Sequence, residues 1–301
     1  MFNTSTNTPD AEIQMRTQKL QHEMAAIGLD GVLLLQISDL FYFSGTTQQA
    51  HLYIPVDGDP LLMVKKSIPR ARAESPLSTI TGLDRPAQLP DILNAHNCPR
   101  PRVLGMELDV LPVNLFQRYT GLWPDVTIQD CSPMVRQVRA VKSSYEIDMI
   151  RQAAALADRM AGFAATVIRE GIPEIEMAGL LEAEARRLGH QGLVRMRLWG
   201  SEMFYGHFMS GWSAAVPGCL ASPTGGAAMS PAFAQGPGMK KIQTNEPILF
   251  DYVFTFKGYL ADHTRIYSIG NLPYKLLTAH EAMLELQALV AREARPGKTA
   301  G

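Results

Sequence analysis

Apolar residues recur at helical spacing through Ile13, Leu20, Met24 and Ile27, so a helix is expected over 11–27, with Gly28 as its C-terminal stop. An unbroken apolar run over 31–36 then reads as a strand covered on both faces. Apolar stretches over 51–55 and 60–65 flank Asp57-Gly58, which predicts a hairpin. Helical and strand patterns alternate beyond it: a helix near 87–95, a strand at 102–106, a helix at 112–119 and a strand at 125–129. Such alternation argues for a mixed α/β first domain. The Ser-Pro pair within 130–135 interrupts the pattern, and a domain boundary is expected there, giving domains 1–133 and 134–301.

The second domain is expected to open with a long Ala-rich helix. Ser143 or Ser144 can cap it, Glu146 sits in its first turn, and Gly171 ends it. A second helix over 173–188 has proline near its start and Gly189 beyond its end. Strands are expected at 193–199 and 204–209. A long stretch over 213–238, rich in Gly, Pro, Ala and Ser, reads as a lid, a binding loop or disorder. An amphipathic helix over 274–295 precedes Pro296-Gly297.

The chemistry is concentrated in the segment between that loop and the last helix. Apolar and β-branched residues on either side of Lys257-Gly258 predict two strands joined by a tight turn. That register puts Asp262 opposite Val253, which shares a face with Asp251 because side chains alternate along a strand. The two carboxylates are then diagonal neighbours, about 7–8 Å apart. Such a pair repels unless one takes a proton or a cation sits between them. Hard oxygen ligands suit Mg, Mn, Ca or the harder side of Fe and Co chemistry, and two aspartates alone do not complete a shell. The plainer alternative is a pair of solvated loop flankers. Against it, Asp251 lies inside the apolar run 247–256, where a solvated aspartate is poorly placed.

The string LFDYVFTFKGYLADHTRIYSIG resembles the first metal-ligand motif of the creatinase, aminopeptidase P and prolidase family, the pita-bread metallohydrolases. Asp251, Asp262, Thr264 and Arg265 match it. Two further stretches agree: Val138-Arg139-Ala140-Val141-Lys142-Ser143 followed by Glu146-Ile147 and Ile150-Arg151, and the run 28–34 followed by Phe41-Tyr42-Phe43-Ser44-Gly45. The resemblance implies a creatinase-type N-terminal α/β domain followed by a pita-bread α+β domain. It makes Asp251 and Asp262 ligands of two divalent ions (Mn, Co, Fe or Zn). The activity implied is hydrolysis of a peptide or related C–N bond by a metal-activated water, in a homodimer, on a small peptide or other small-molecule substrate.

Two departures from the family pattern shape the expectation. Relatives continue past the counterpart of Arg295-Pro296-Gly297, and the remainder supplies a His and two Glu ligands. This sequence ends at Gly301, so an incomplete second domain is expected, with two of five ligands, with or without its metals, and with sheet edges exposed. The family also commonly carries a His after its Ser-Gly lead-in. Here Ser210-Gly211 leads to Gly218, which has no side chain to move a proton. His207 on the adjacent strand is the candidate replacement, against a structural role between Tyr205 and Phe208. His263 alternates away from the aspartate face and is set aside. The competing readings are an inactive pita-bread scaffold that binds a partner, or a relative with altered chemistry such as a small-zwitterion lyase.

Composition narrows the classes further. With 28 basic and 29 acidic residues the formal charge is −1, which gives no field favouring nucleic acid or a membrane surface. Cys98, Cys131 and Cys219 form neither a disulfide framework nor a zinc pattern, so a reducing, cytoplasmic setting is expected. The polar start over 1–9 reads as a floppy tail rather than a signal peptide. No Gly-x-Ser-x-Gly motif supports a covalent hydrolase.

Overall fold

A computed structural model describes residues 7–197, 205–218, 224–233 and 235–299. The chain divides into two compact units, one running to Asp148 and taking back a short segment from Arg195, the other from Met149 to Val194 and from Met203 onward.

The first unit contains α1 (Asp10–Ile27), β1 (Gly31–Leu34), α2 (Ile37–Ser44), β2 (Ala50–Pro55), β3 (Leu61–Val64), α3 (Ile68–Glu74), β4 (Thr79–Gly82), α4 (Leu89–Ala95), β5 (Val103–Met106), α5 (Val113–Leu122), β6 (Thr127–Asp130) and α6 (Ser132–Ala140). Its six strands pair in the order β4-β3-β2-β1-β5-β6, with β2 antiparallel to both neighbours and the other pairings parallel. Successive residues of β1 point to opposite faces, and each face is packed. Val32 and Leu34 join Leu20 and Met24 of α1, Phe43 of α2 and Val135 of α6. Leu33 joins Tyr53 and Met63 with Leu89 of α4 and Tyr119 of α5. That double coverage is why the strand reads as a continuous apolar run.

One local expectation changes, and one helix is added. The Ser132-Pro133 pair does not break the pattern; it opens α6, with proline in the first turn, where no N–H is needed. The aromatic run Phe41-Tyr42-Phe43 lies on α2, whose first turn is capped by the Gln36 side chain accepting from the Ser38 and Asp39 N–H groups at 2.6 and 3.1 Å.

Helix α7 (Ser144–Val167) crosses from one unit to the other. Ser143 is its cap: Ser143 Oγ accepts from the Glu146 N–H at 3.1 Å, and Glu146 Oε2 accepts from the Ser143 N–H at 3.0 Å. The second unit then adds α8 (Glu174–Arg187), β7 (Gly206–Ser210), β8 (Ile248–Phe256), β9 (Tyr259–Tyr267) and α9 (Tyr274–Glu293). Its sheet is antiparallel in the order β7-β8-β9. Small residues Ala153, Ala157, Ala161 and Ala164 make a buried stripe on α7. Ala157, Ala161 and Ala164 share the core with Met177 and Leu181 of α8 and with Phe208, Phe250, Tyr252 and Phe254 of the sheet. No residue of α9 is buried. Residues 193–197 are irregular where a strand was expected; 198–199, Phe204 and Cys219 lie outside the described residues. No helix among the described residues is long and apolar enough to cross a membrane.

Candidate metal centre

The hairpin forms in the expected register. Lys257 and Gly258 both have positive φ, at 49° and 85°, the backbone a two-residue primed turn needs. Strand pairing then sets Val253 against Asp262 and Asp251 against Thr264. Since Phe250, Tyr252 and Phe254 are spent on the core with α7 and α8, Asp251 and Val253 project from the other face, and Asp262 with them. Asp251 is half-buried and Asp262 exposed.

Asp251 is held in place from across the strand pair: Thr264 Oγ1 donates to its Oδ1 at 2.7 Å. The carboxyl of Asp262 is raised above its ordinary range by partial burial and by the Asp251 charge, with His263 opposing. Because Asp262 is open to solvent, the neighbouring charge is the cause that bears on its chemistry. A carboxyl whose ionisation is penalised by a neighbouring negative charge in this way is relieved by a cation.

Strand β7 brings His207 directly opposite Asp251, on the same face. The imidazole is buried, and burial pushes its pKa below the ordinary value while the Asp251 charge opposes the shift. Glycine is required beside it: a Cβ at Gly206, whose φ is 141°, would stand 2.1 Å from the Asp251 carbonyl oxygen. His263 pairs with Tyr252 and so lies on the helix side. Its Nδ1 is 3.1 Å from Asp158 Oδ1 of α7, and Arg265 Nη2 donates to the same oxygen at 3.0 Å. These two residues of the motif fasten the hairpin to α7; they do not face the aspartates.

The donor set fits a hard divalent ion in kind. It does not close a shell: among the described residues no group of three or more His, Cys, Asp or Glu side chains is arranged to hold a metal. Gly218 stands where the family histidine is expected, packed so tightly that a Cβ on Gly225 would lie 2.7 Å from its Cα. Residues 211–239 contain no Asp, Glu, Lys, Arg or His. Sequence reasoning missed Thr264 as the group that orients Asp251, although its position opposite that residue follows from the register. It also missed Glu174, whose hydrogen-bond partners lie far away along the chain.

Comparison with known proteins agrees with this geometry. Residues 16–141 match the model of the creatinase/prolidase N-terminal domain, and residues 148–301 match that of metallopeptidase family M24. The chain belongs to metallopeptidase family M24. Curated relatives include the uncharacterized peptidase YqhT of Bacillus subtilis, 24% identical over 95% of this chain and 74% of that protein. Another is an Xaa-Pro dipeptidase of Pyrococcus furiosus, 26% identical over 95% of this chain and 73% of the relative. Among solved structures, an Xaa-Pro dipeptidase from Bacillus anthracis superposes with a TM-score of 0.76 at 21% identity, covering 92% of this chain and 70% of its own. The prolidase of Pyrococcus horikoshii gives 0.74 at 20% identity, covering 92% and 71%. The fold is therefore that of the M24 enzymes, with a creatinase-type domain ahead of the pita-bread one. The Ser143–Glu146 cap falls between the two matched segments.

Proposed function

We propose that this M24 chain supplies the aspartate pair of a metal-dependent peptidase centre that hydrolyses a C–N bond in a short peptide, of the Xaa-Pro class named for its dipeptidase relatives. The observation that supports this best is the shared face of Asp251 and Asp262, fixed by a two-residue turn and by the packing of the alternate residues into the core. A bound divalent ion (Mn, Co, Fe or Zn) would supply a water acidified enough to attack a carbonyl carbon near neutral pH. Within the chain, Asp251 and Asp262 hold the cation, Thr264 fixes the Asp251 carboxylate, and His207 offers a largely neutral ring beside Asp251 as the candidate for proton handling. The working form we propose is a cytoplasmic homodimer.

Gly218 favours a second reading of the substrate. Without the loop histidine, substrates whose cleavage needs no proton transfer from that position become the better fit, small zwitterions among them.

The test is metal content and dipeptide hydrolysis by the purified chain beside its Asp251→Asn variant. The variant should lose at least about nine-tenths of bound Mn²⁺ while its unfolding free energy moves by less than about 1 kcal/mol. Equal Mn²⁺ uptake by the two proteins would remove the proposal.

A further inference from the structure

Glu174 is fully buried at the start of α8, and its carboxylate is consumed by four donors drawn from both ends of the long loop. Oε1 accepts from the Ser210 N–H at 2.7 Å and from Ser210 Oγ at 3.0 Å. Oε2 accepts from Ser213 Oγ at 3.1 Å and from the Gly238 N–H at 3.3 Å. Ser210 and Ser213 stand where the loop leaves β7, and Gly238 where it returns. Lys240 closes the circuit, donating to Ser210 Oγ at 2.8 Å and to Glu246 Oε1 at 2.6 Å. A buried carboxylate with this many charge-assisted partners holds them firmly, because each donor lost leaves part of its charge uncompensated.

What the loop does between these roots is visible at its glycines. The Gly225 N–H donates to Val216 O at 2.7 Å, and the Gly236 N–H donates to Gly225 O at 2.7 Å, so the outgoing and returning strands of the loop are laced together. Gly226 rests on Met209: a Cβ there would stand 2.2 Å from its Sδ. Met209 is two residues from His207 on β7 and pairs with Leu249, two residues from Asp251 on β8. It therefore lies on the face that carries His207 and Asp251. At Gly226 the loop thus lies against that face, and residues 211–239 carry no Asp, Glu, Lys, Arg or His.

We infer that Glu174 is a positioning residue for substrate binding: by gripping both roots of the loop it sets the height of the glycine-laced segment above the aspartate-bearing face. This rests on the peptidase reading for its kinetic consequence, while the grip itself does not. Glu174→Gln replaces one accepting oxygen with an amide that faces donors. Ser213→Ala removes a single donor and is the milder variant, should the first fold poorly. Hydrogen exchange is read on the amides of Gly225, Gly226, Ala228 and Gly236, and on those of β8 and β9 as the control. Expected is at least about tenfold faster exchange at the loop amides in Glu174→Gln, a smaller change of the same pattern in Ser213→Ala, and unchanged protection in the hairpin. Against an Xaa-Pro dipeptide, KM should rise about tenfold with kcat within about threefold of the parent. Unchanged loop protection in both variants would overturn the inference, as would equal loss through β8 and β9, or kcat falling with KM unmoved. If the parent protein cleaves no dipeptide, the peptidase reading fails and the exchange data alone decide whether Glu174 grips the loop.

Discussion

In the six-stranded sheet of the first unit, the neighbours Val32 and Leu33 point to opposite faces and both are fully buried. In the three-stranded sheet of the second unit, Phe250 is fully buried, whereas Asp251 beside it is half-buried and hydrogen-bonded to a threonine. One sheet is covered by helices on both sides and has no face left for chemistry. The other spends one face on α7 and α8 and keeps the second for His207, Asp251 and Asp262. The proposed chemistry lies on the sheet face that α7 and α8 do not take, and the alternation of a strand is what makes that possible.

The contrast can be broken most forcefully in the core of the doubly covered sheet. Leu33→Ala should destabilise the protein by about 2–5 kcal/mol, since the site is enclosed by strands and helices that cannot collapse onto the gap. Denaturant midpoints check this, and a loss comparable to that of a surface residue would show the second layer to be loose. A half-buried histidine gives the next largest effect. His51 of β2 bonds through Nε2 to the Tyr119 hydroxyl at 2.6 Å, and burial, helped by the charge of Lys65, pushes its pKa down to about 4. The unfolded chain, titrating near 6.5, binds more protons than the folded one between those values. Stability is therefore complete above about pH 6.5, falls as the pH drops toward 4 and levels off below, by about 3 kcal/mol in all. His51→Gln should flatten that part of the stability profile; an unaltered slope would mean that other groups carry it.

The smallest effects sharpen the one-sided sheet. Thr264→Val should weaken Mn²⁺ binding by about 10–100-fold through loss of the bond that orients Asp251. His263→Ala, one residue away but on the helix side, should leave Mn²⁺ affinity unchanged and alter stability by about 0.5 kcal/mol. Calorimetric titration of the two variants reads both numbers, and similar losses from each would contradict the face assignment.

How far the sequence could be followed depended on how local the determinant is. The hairpin was legible because Lys257-Gly258 and the alternating residues around it lie within one short segment and fix the register together. Helix α1 announced itself by apolar spacing and Gly28, α7 by its alanine-rich composition and a serine cap, and α8 by Pro173 and Gly189 at its ends. Helix α2 was hidden, because it is only two turns long and its cap is a glutamine. Ser132-Pro133 was misleading, since proline stops a helix in its interior yet starts one in its first turn. Glu174 could not have been found: its donors at Ser210, Ser213 and Gly238 meet only after β7 and the loop have folded. The aspartates were visible as a pair, but what surrounds them is assembled from β7 and β9 in three dimensions.

The two-residue turn at Lys257-Gly258 also sets how this centre can be lost. Deleting the codon for Thr255 reverses the parity of everything upstream on β8 relative to the bend. Phe250, Tyr252 and Phe254 could then regain the interior only if the aspartates parted company. A reading-frame-preserving deletion that touches neither acidic residue would thus disable the centre as surely as replacing one of them.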